Sequence, residues 1–433
     1  MQRARDYFII SILLLMYGCS SSSTRLIVEE KTDAIIRTSS NIEYSDFWEA
    51  MSNLDFDYFA NNNLNQEYHQ FEEGLIKVRA NDFNTSENTF RELLFSSSDS
   101  LIKKNSKEVL SSIIFSQSKW YELIQLEKEY GKSDSSDKTN LNLSRSYIHL
   151  EKEKYTFPSE STVIPFTLSF SGSPIILVKI NGKEYNFWLD TGAGLSVIAS
   201  DIAEDCGIKP LNSESSIART GTSINVNIKP IVIDKLEIGD VKINNHPSIL
   251  IDESDLKFKL LGIFTLIKID GIIGWNAIRN MNLSIDYKKK EIIISKPVKR
   301  EISDRNFFWL DYPIVSLNSE KGVSLLFKLD TGSDISSISE NIFPKINPQN
   351  VQIENKTIGS AGGNENIESK VIPELTIILG KNSLNFKNIS THKSNNNSFL
   401  KTDGVLGSDI LKGAVITIDY MNGRFDYKYI NAL

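Results

Sequence analysis

Two stretches of this chain repeat each other. Phe187-Trp188-Leu189-Asp190-Thr191-Gly192-Ala193 has its counterpart 140 residues later in Phe327-Lys328-Leu329-Asp330-Thr331-Gly332-Ser333. Further on, Asp270-Gly271-Ile272-Ile273-Gly274 matches Asp403-Gly404-Val405-Leu406-Gly407, and Leu283-Ser284-Ile285-Asp286-Tyr287 matches Ile416-Thr417-Ile418-Asp419-Tyr420, each pair 133 residues apart. Three matches in the same order mean that one unit of about 130–140 residues occurs twice. Whatever the first copy folds into, the second must be able to fold into as well.

Both copies have the texture of strands. Runs such as Ile175-Ile176-Leu177-Val178-Lys179-Ile180, Ile231-Val232-Ile233 and Glu291-Ile292-Ile293-Ile294 are broken by Gly, Asn and Asp, which is the pattern of an all-β region. Ahead of them the spacing is helical. Phe71, Leu75 and Val78, then Phe90, Leu93 and Leu94, then Trp120, Leu123, Ile124 and Leu126 form apolar stripes between turn signals at 81–82 and 96–100. These predict three to five short helices over 41–130. Residues 73–94 resemble half of a tetratricopeptide-type repeat, with a second unit expected over 107–130, and the polar stretch 131–137 reads as a linker. A helical adaptor and a plain helical spacer are both compatible with that pattern.

The N-terminus begins with Arg3 and Arg5 and continues as an apolar run from Phe8 to Met16, too short for a spanning helix and suited to a secretory signal. Tyr17-Gly18-Cys19 followed by four serines resembles the lipobox of bacterial lipoproteins, which implies cleavage before Cys19 and lipidation of its thiol. The other reading is an attached N-terminal helix in which Cys19 is incidental. The first reading divides the chain into a signal peptide (1–18), a tether (19–40), a helical region (41–150) and two β lobes (160–298 and 305–433). It places the protein in the bacterial cell envelope, periplasmic or surface-facing, held to a membrane through its N-terminal lipid.

With 48 Lys and Arg against 55 Asp and Glu, the net charge is −7, which speaks against nucleic acid as a partner. Two cysteines and four histidines, with no ligand spacing among them, leave no disulfide framework and no metal site, and no cofactor is expected. His69, His149, His246 and His392 read as surface or core residues, and Cys206 as a small buried hydrophobe. Nucleophile elbow, P-loop, zinc-protease helix and dinucleotide fingerprint are all missing from the sequence.

What remains is carboxylate chemistry. An aspartate ending an apolar strand sits in a dry place, and the following Thr and Gly allow a sharp turn that aims backbone N–H groups at it. If two such turns face each other, the carboxylates lie about 3 Å apart and cannot both ionise. One is then a base and the other an acid. As a bare turn motif, Asp-Thr-Gly is only a self-capped bend, but a self-capped bend gives no reason for the distant glycine motif to recur in register.

The two copies together resemble the aspartic protease superfamily, in its retropepsin-like and pepsin-like branches, from about Thr162 to the C-terminus. The resemblance implies an all-β, two-lobed double barrel after a small α-helical region, and an endopeptidase in which Asp190 and Asp330 activate a water against a peptide or protein substrate. It implies a hydrogen-bond network of Thr191 with Thr331, tight turns at Gly192 and Gly332, and support of each loop from behind by Ile273-Gly274 and Leu406-Gly407. It further implies flaps at 218–223 and 359–364, where glycine would permit positive φ, and neither segment carries the tyrosine of the pepsin flap. Asp270 and Asp403 read as turn residues. Ser333, lacking an equivalent at Ala193, is expected to donate its hydroxyl to Asp330 and bias the charge there. Both aspartates lie in one chain, so a monomer with an internal pseudo-dimer is expected. The rivals are a non-catalytic module that holds a peptide or envelope component, and pairing of each half with the same half of another molecule.

Overall fold

Burial alternates residue by residue along Thr162–Leu168 and Pro174–Ile180, so each strand presents one face to a core and the other to solvent. The computed structural model describes residues 24–30, 42, 44–57, 65–130, 135–169, 172–212, 216–222, 224–260, 264–392 and 398–430. The apolar run and Cys19 lie outside the described residues. The described chain is mostly β, with a helical segment before it, and is compatible with an all-β protease-like fold.

The repeat is visible element by element. The first copy runs through Thr162–Leu168, Pro174–Ile180 and Lys183–Leu189 to the Asp-Thr-Gly turn, then Ser196–Ala199, a hairpin of Ser216–Arg219 with Asn225–Ile238, Val241–Ile251, Gly271–Ile273, Asn282–Asp286 and Glu291–Ser295. The second runs through Phe307–Trp309, Pro313–Ser319 and Ser324–Leu329 to its turn, then Ser337–Ser339, a hairpin of Gln352–Ser360 with Gly363–Leu379, Asn382–His392, Gly404–Leu406, Ala414–Asp419 and Arg424–Tyr429. Gly271–Ile273 pairs parallel with Phe187–Leu189, and Gly404–Leu406 pairs with Phe327–Leu329 in the same register. The first copy adds a small hairpin, Lys257–Leu260 with Phe264–Lys268.

The copies join through equivalent strands. Asn282–Asp286 pairs antiparallel with Ala414–Asp419, and Ser284 lies opposite Thr417, its own repeat equivalent. An antiparallel pair in which a residue faces its own copy has a local two-fold axis between them. Glu291–Ser295 and Arg424–Tyr429 flank this pair and extend it to four strands. One apolar core, from Phe187 and Leu189 to Phe327 and Leu329, continues across both copies.

Among the described residues, six helices precede the strands of the two copies: Phe47–Ser52, Gln66–Arg79, Phe83–Ser96, Ser100–Ser116, Trp120–Tyr130 and Ser135–Tyr147. Asp46, Asn65, Asp82 and Asp99 each accept backbone N–H groups of the following turn, an N-cap that contributes about 1 kcal/mol. Gln66–Arg79 and Phe83–Ser96 pack closely, since a Cβ on Gly74 would stand 2.7 Å from the Phe90 ring. The helices share an apolar cluster with Phe308, Leu310, Ile314, Leu326 and Phe399 of the second copy, so this region is seated on the β structure.

Two sequence expectations change. Arg25–Glu30, read as tether, is a strand that pairs antiparallel with Asn382–His392, because Leu26 and Val28 alternate and find an unpaired edge. The expected linker 131–137 is cut short: Ser135 opens a helix whose Tyr147 is buried and donates 2.6 Å to the Ser248 carbonyl. Its apolar positions are too sparse for the sequence to reveal the packing.

Candidate active site

Each Asp-Thr-Gly turn is held from within and from across. Asp190 N–H donates to the Ile273 carbonyl and Asp330 N–H to the Leu406 carbonyl, both at 3.0 Å, so the neighbouring parallel strand fixes where the turn begins. Gly192 N–H donates to Asp190 Oδ1 at 2.7 Å, and Gly332 N–H to Asp330 Oδ1 at 3.1 Å. Thr191 N–H donates to Thr331 Oγ1 at 3.1 Å, and Thr331 N–H to Thr191 Oγ1 at 3.0 Å. The two hydroxyls then donate across the axis, Thr191 to the Leu329 carbonyl at 2.8 Å and Thr331 to the Leu189 carbonyl at 2.7 Å. Both threonines are fully buried.

This network sets the aspartates face to face. A Cβ on Gly192 would lie 2.4 Å from Asp330 Cγ, and one on Gly332 would lie 2.4 Å from Asp190 Cγ. Neither glycine has a left-handed φ; each is required because the opposite carboxylate occupies the place of a side chain. The Asp190 pKa rises to about 7, first through desolvation and then through the charge of Asp330. Lys328 and the Gly192 N–H pull it the other way.

The asymmetry between the carboxyls does not come from the Ser333 hydroxyl. That hydroxyl donates to the Ile335 carbonyl at 3.0 Å, while the Ser333 backbone N–H donates to Asp330 Oδ1 at 3.1 Å. Asp330 thus accepts two turn N–H groups, from Gly332 and Ser333, and has Lys328 Nζ 3.5 Å from its Oδ2. Among the described residues, Asp190 accepts only the N–H of Gly192. Asp330 thus faces one more N–H donor than Asp190 and has a cation beside its Oδ2. Lys328 was legible as a cation in the repeat, opposite Trp188, but strand alternation alone did not say that it reaches the carboxylate.

The supporting elements contain partners that the motif reading missed. Gly274 N–H donates to Ser196 Oγ and Gly407 N–H to Ser336 Oγ, at 3.2 and 3.0 Å. These serines stand six residues after each aspartate, a recurrence present in both copies and available to a longer comparison of the repeat. Ser196 also meets Asn276 and the ring of buried His246, whose other nitrogen bonds Glu153; Ser336 meets Asp409 instead. Asp403 is more than a turn residue. It is fully buried, accepts from Leu326 N–H at 2.7 Å, and pairs with Lys345 at 2.8 Å, whereas Asp270 remains near the surface beside Lys268. Cys206 is half-buried, with its sulfur 3.3 Å from the Tyr185 hydroxyl.

The glycine-containing segments are hairpin turns whose tips meet. Gly221 N–H donates to Ser360 Oγ at 2.9 Å, and Gly362 packs against Ile224 and Val226. Positive φ occurs at Gly362 (+88°) and Gly363 (+139°) and not at Gly221, where the contact with Ser360 is what limits size. Ser223 lies outside the described residues.

Two facing carboxyls with one proton between them can activate a water as base and protonate a carbonyl oxygen as acid. Residues 176–268 match the family described as gag-polyprotein putative aspartyl protease, a segment that includes Asp190-Thr191-Gly192 and the first hairpin. This match supports the aspartic protease superfamily and, in general terms, a peptidase-type hydrolase. No curated protein matches the chain.

Proposed function

We propose that the protein is an aspartic endopeptidase whose two copies form the lobes of one catalytic unit. The observation that carries this reading is the mutual occupation by Asp190 and Asp330 of the space beside each other's turn glycine. Asp330 in its ionised form takes a proton from water as the oxygen attacks the peptide carbon, and Asp190 gives its proton to the carbonyl oxygen. Collapse of the resulting tetrahedral species releases amine and acid and returns one proton to the pair. The four-strand junction around Ser284 and Thr417 supports a monomer, since the pairing that a one-lobed relative would seek in a second molecule is made within the chain. The touching hairpins serve as flaps that part to admit an extended peptide.

The same reading anchors the protein to the bacterial envelope through lipid on Cys19, by its sequence context alone. Incorporation of a labelled fatty acid into the wild type and its loss in Cys19→Ala tests the anchor separately from the chemistry.

For the chemistry, wild type, Asp190→Asn and Asp330→Asn are compared on a diverse peptide library, with and without a statine-type transition-state mimic. Cleavage by wild type alone, blocked by the mimic, is the expected result. Cleavage that survives either substitution overturns the dyad, and peptide binding without cleavage makes the cleft a binding module.

A further inference from the structure

The second copy carries two lysines on elements around its turn, Lys328 on the strand that leads into it and Lys356 on the hairpin. Lys328 stands where the first copy has Trp188, with its Nζ 3.5 Å from Asp330 Oδ2 and 5.5 Å from the centre of the Tyr312 ring. Lys356 lies on the hairpin strand Gln352–Ser360, in which residues 354, 356, 358 and 360 are partly buried and 353, 355, 357 and 359 are exposed. It shares a face with Ser360, the residue that meets the opposite hairpin, so it points to the inner side.

Lys356 is half-buried, and among the described residues its amine makes no hydrogen bond or ion pair. Desolvation draws its pKa below the usual lysine range. The acids that act on it are Glu354, whose carboxylate is engaged by Ser390, and Asp334, four residues past Asp330. Lys356 and Lys328 both act on His392, which is held at Nδ1 by Ser337 and has its pKa lowered to about 4, by burial first and then by these two lysines. His392 is accordingly neutral near pH 7 and adds no charge beside the two lysines. A half-buried ammonium that makes no direct hydrogen bond or ion pair is unfavourable in itself and becomes favourable when an anion completes it.

We propose that Lys356, assisted by Lys328, forms a specificity subsite that receives the carboxylate side chain of an Asp or Glu in the substrate. The proposal rests on the peptidase reading and names the chemistry of one of its pockets. A carboxylate entering beneath the hairpin meets Lys356 as a charge-assisted partner.

The test uses the full chain on paired peptides that differ only by Glu or Gln at single positions around the bond cleaved. Wild type is expected to prefer Glu at one position by about tenfold in kcat/KM, the effect of one hydrogen bond to a charged partner. Lys356→Met removes that preference, and Lys356→Glu reverses it in favour of Lys. Matching thermal melts show that the variants are folded. Cleavage with no preference for Glu, or with a preference that Lys356→Met leaves intact, overturns the subsite while the peptidase reading stands. If wild type cleaves nothing, the peptidase reading fails, and binding of the same peptide pairs to wild type and Lys356→Met decides the subsite by itself.

Discussion

Thr191 and Thr331 each donate a backbone N–H to the other's hydroxyl, and each hydroxyl donates onward to the strand end of the opposite copy. Four buried hydrogen bonds thus cross between the copies directly beneath the aspartates. A buried N–H that loses its acceptor costs about 1–3 kcal/mol. Thr331→Val removes the acceptor of Thr191 N–H and the donor to the Leu189 carbonyl, so a loss of about 2–4 kcal/mol in denaturant unfolding is expected. Thr331→Ser, which keeps both bonds, should recover most of it.

Gly192 and Gly332 admit the opposite carboxylate where a side chain would start. An added methyl must push the two carboxyls apart, and overpacking of this kind costs about 1–3 kcal/mol. Gly332→Ala should therefore lower kcat against a cleaved peptide by at least about tenfold, since misplaced reacting groups lose rate steeply. Full activity in the variant would show that the carboxylates need not touch.

The Asp190 carboxyl is raised from its ordinary value near 3.8 to about 7 by desolvation and by the charge of Asp330. An acid with a raised folded pKa binds more protons folded than unfolded. Its contribution to stability is therefore lost as pH rises from about 4 toward 7, the reverse of a salt-bridged carboxylate. Asp190→Asn should be more stable than wild type at pH 7 and above, and should approach it in acid; thermal melts across pH read this directly.

In the proposed mechanism catalysis needs the same proton, so activity should fall as pH rises through about 7. Lys328 holds the Asp190 pKa down. Lys328→Met should move the alkaline limb of the kcat/KM profile to higher pH. A limb that stays put would mean that the lysine charge is not felt at the dyad.

Lys345 and Asp403 form a buried ion pair at 2.8 Å, and Asp403 Oδ1 has no hydrogen-bond partner. Removing one member leaves the other charged and buried, which costs about 3–5 kcal/mol. Lys345→Met is expected to lose about that much, and Lys345→Met with Asp403→Asn to lose markedly less. Equal losses in chemical denaturation would mean that the charge itself is not what matters.

The repeat singled out Asp190 and Asp330 as candidates because a spacing that recurs with its flanks is a one-dimensional property. It could not say that the Ser333 hydroxyl turns to Ile335, since rotamer choice depends on which acceptor is nearest after folding. Ser196 and Ser336 recur as regularly as the aspartates, yet their role emerges only when Gly274 and Gly407 come within hydrogen-bonding reach. Lys328 and Lys356 are 28 positions apart in the chain, and nothing local relates either to Asp330 or His392.

The amino-acid sequence by itself determined the matching segments, the β texture that follows the helical stripes, and the candidate aspartates, because periodicity and turn residues act over a few neighbours. Only the tertiary structure decided that Arg25–Glu30 completes an edge of the second copy, that the helices seat on it, and which N–H groups and cation face each aspartate. Those outcomes depend on charges, edges and hydrogen-bond partners brought together from distant parts of the chain, where the sequence carries the groups but not their distances.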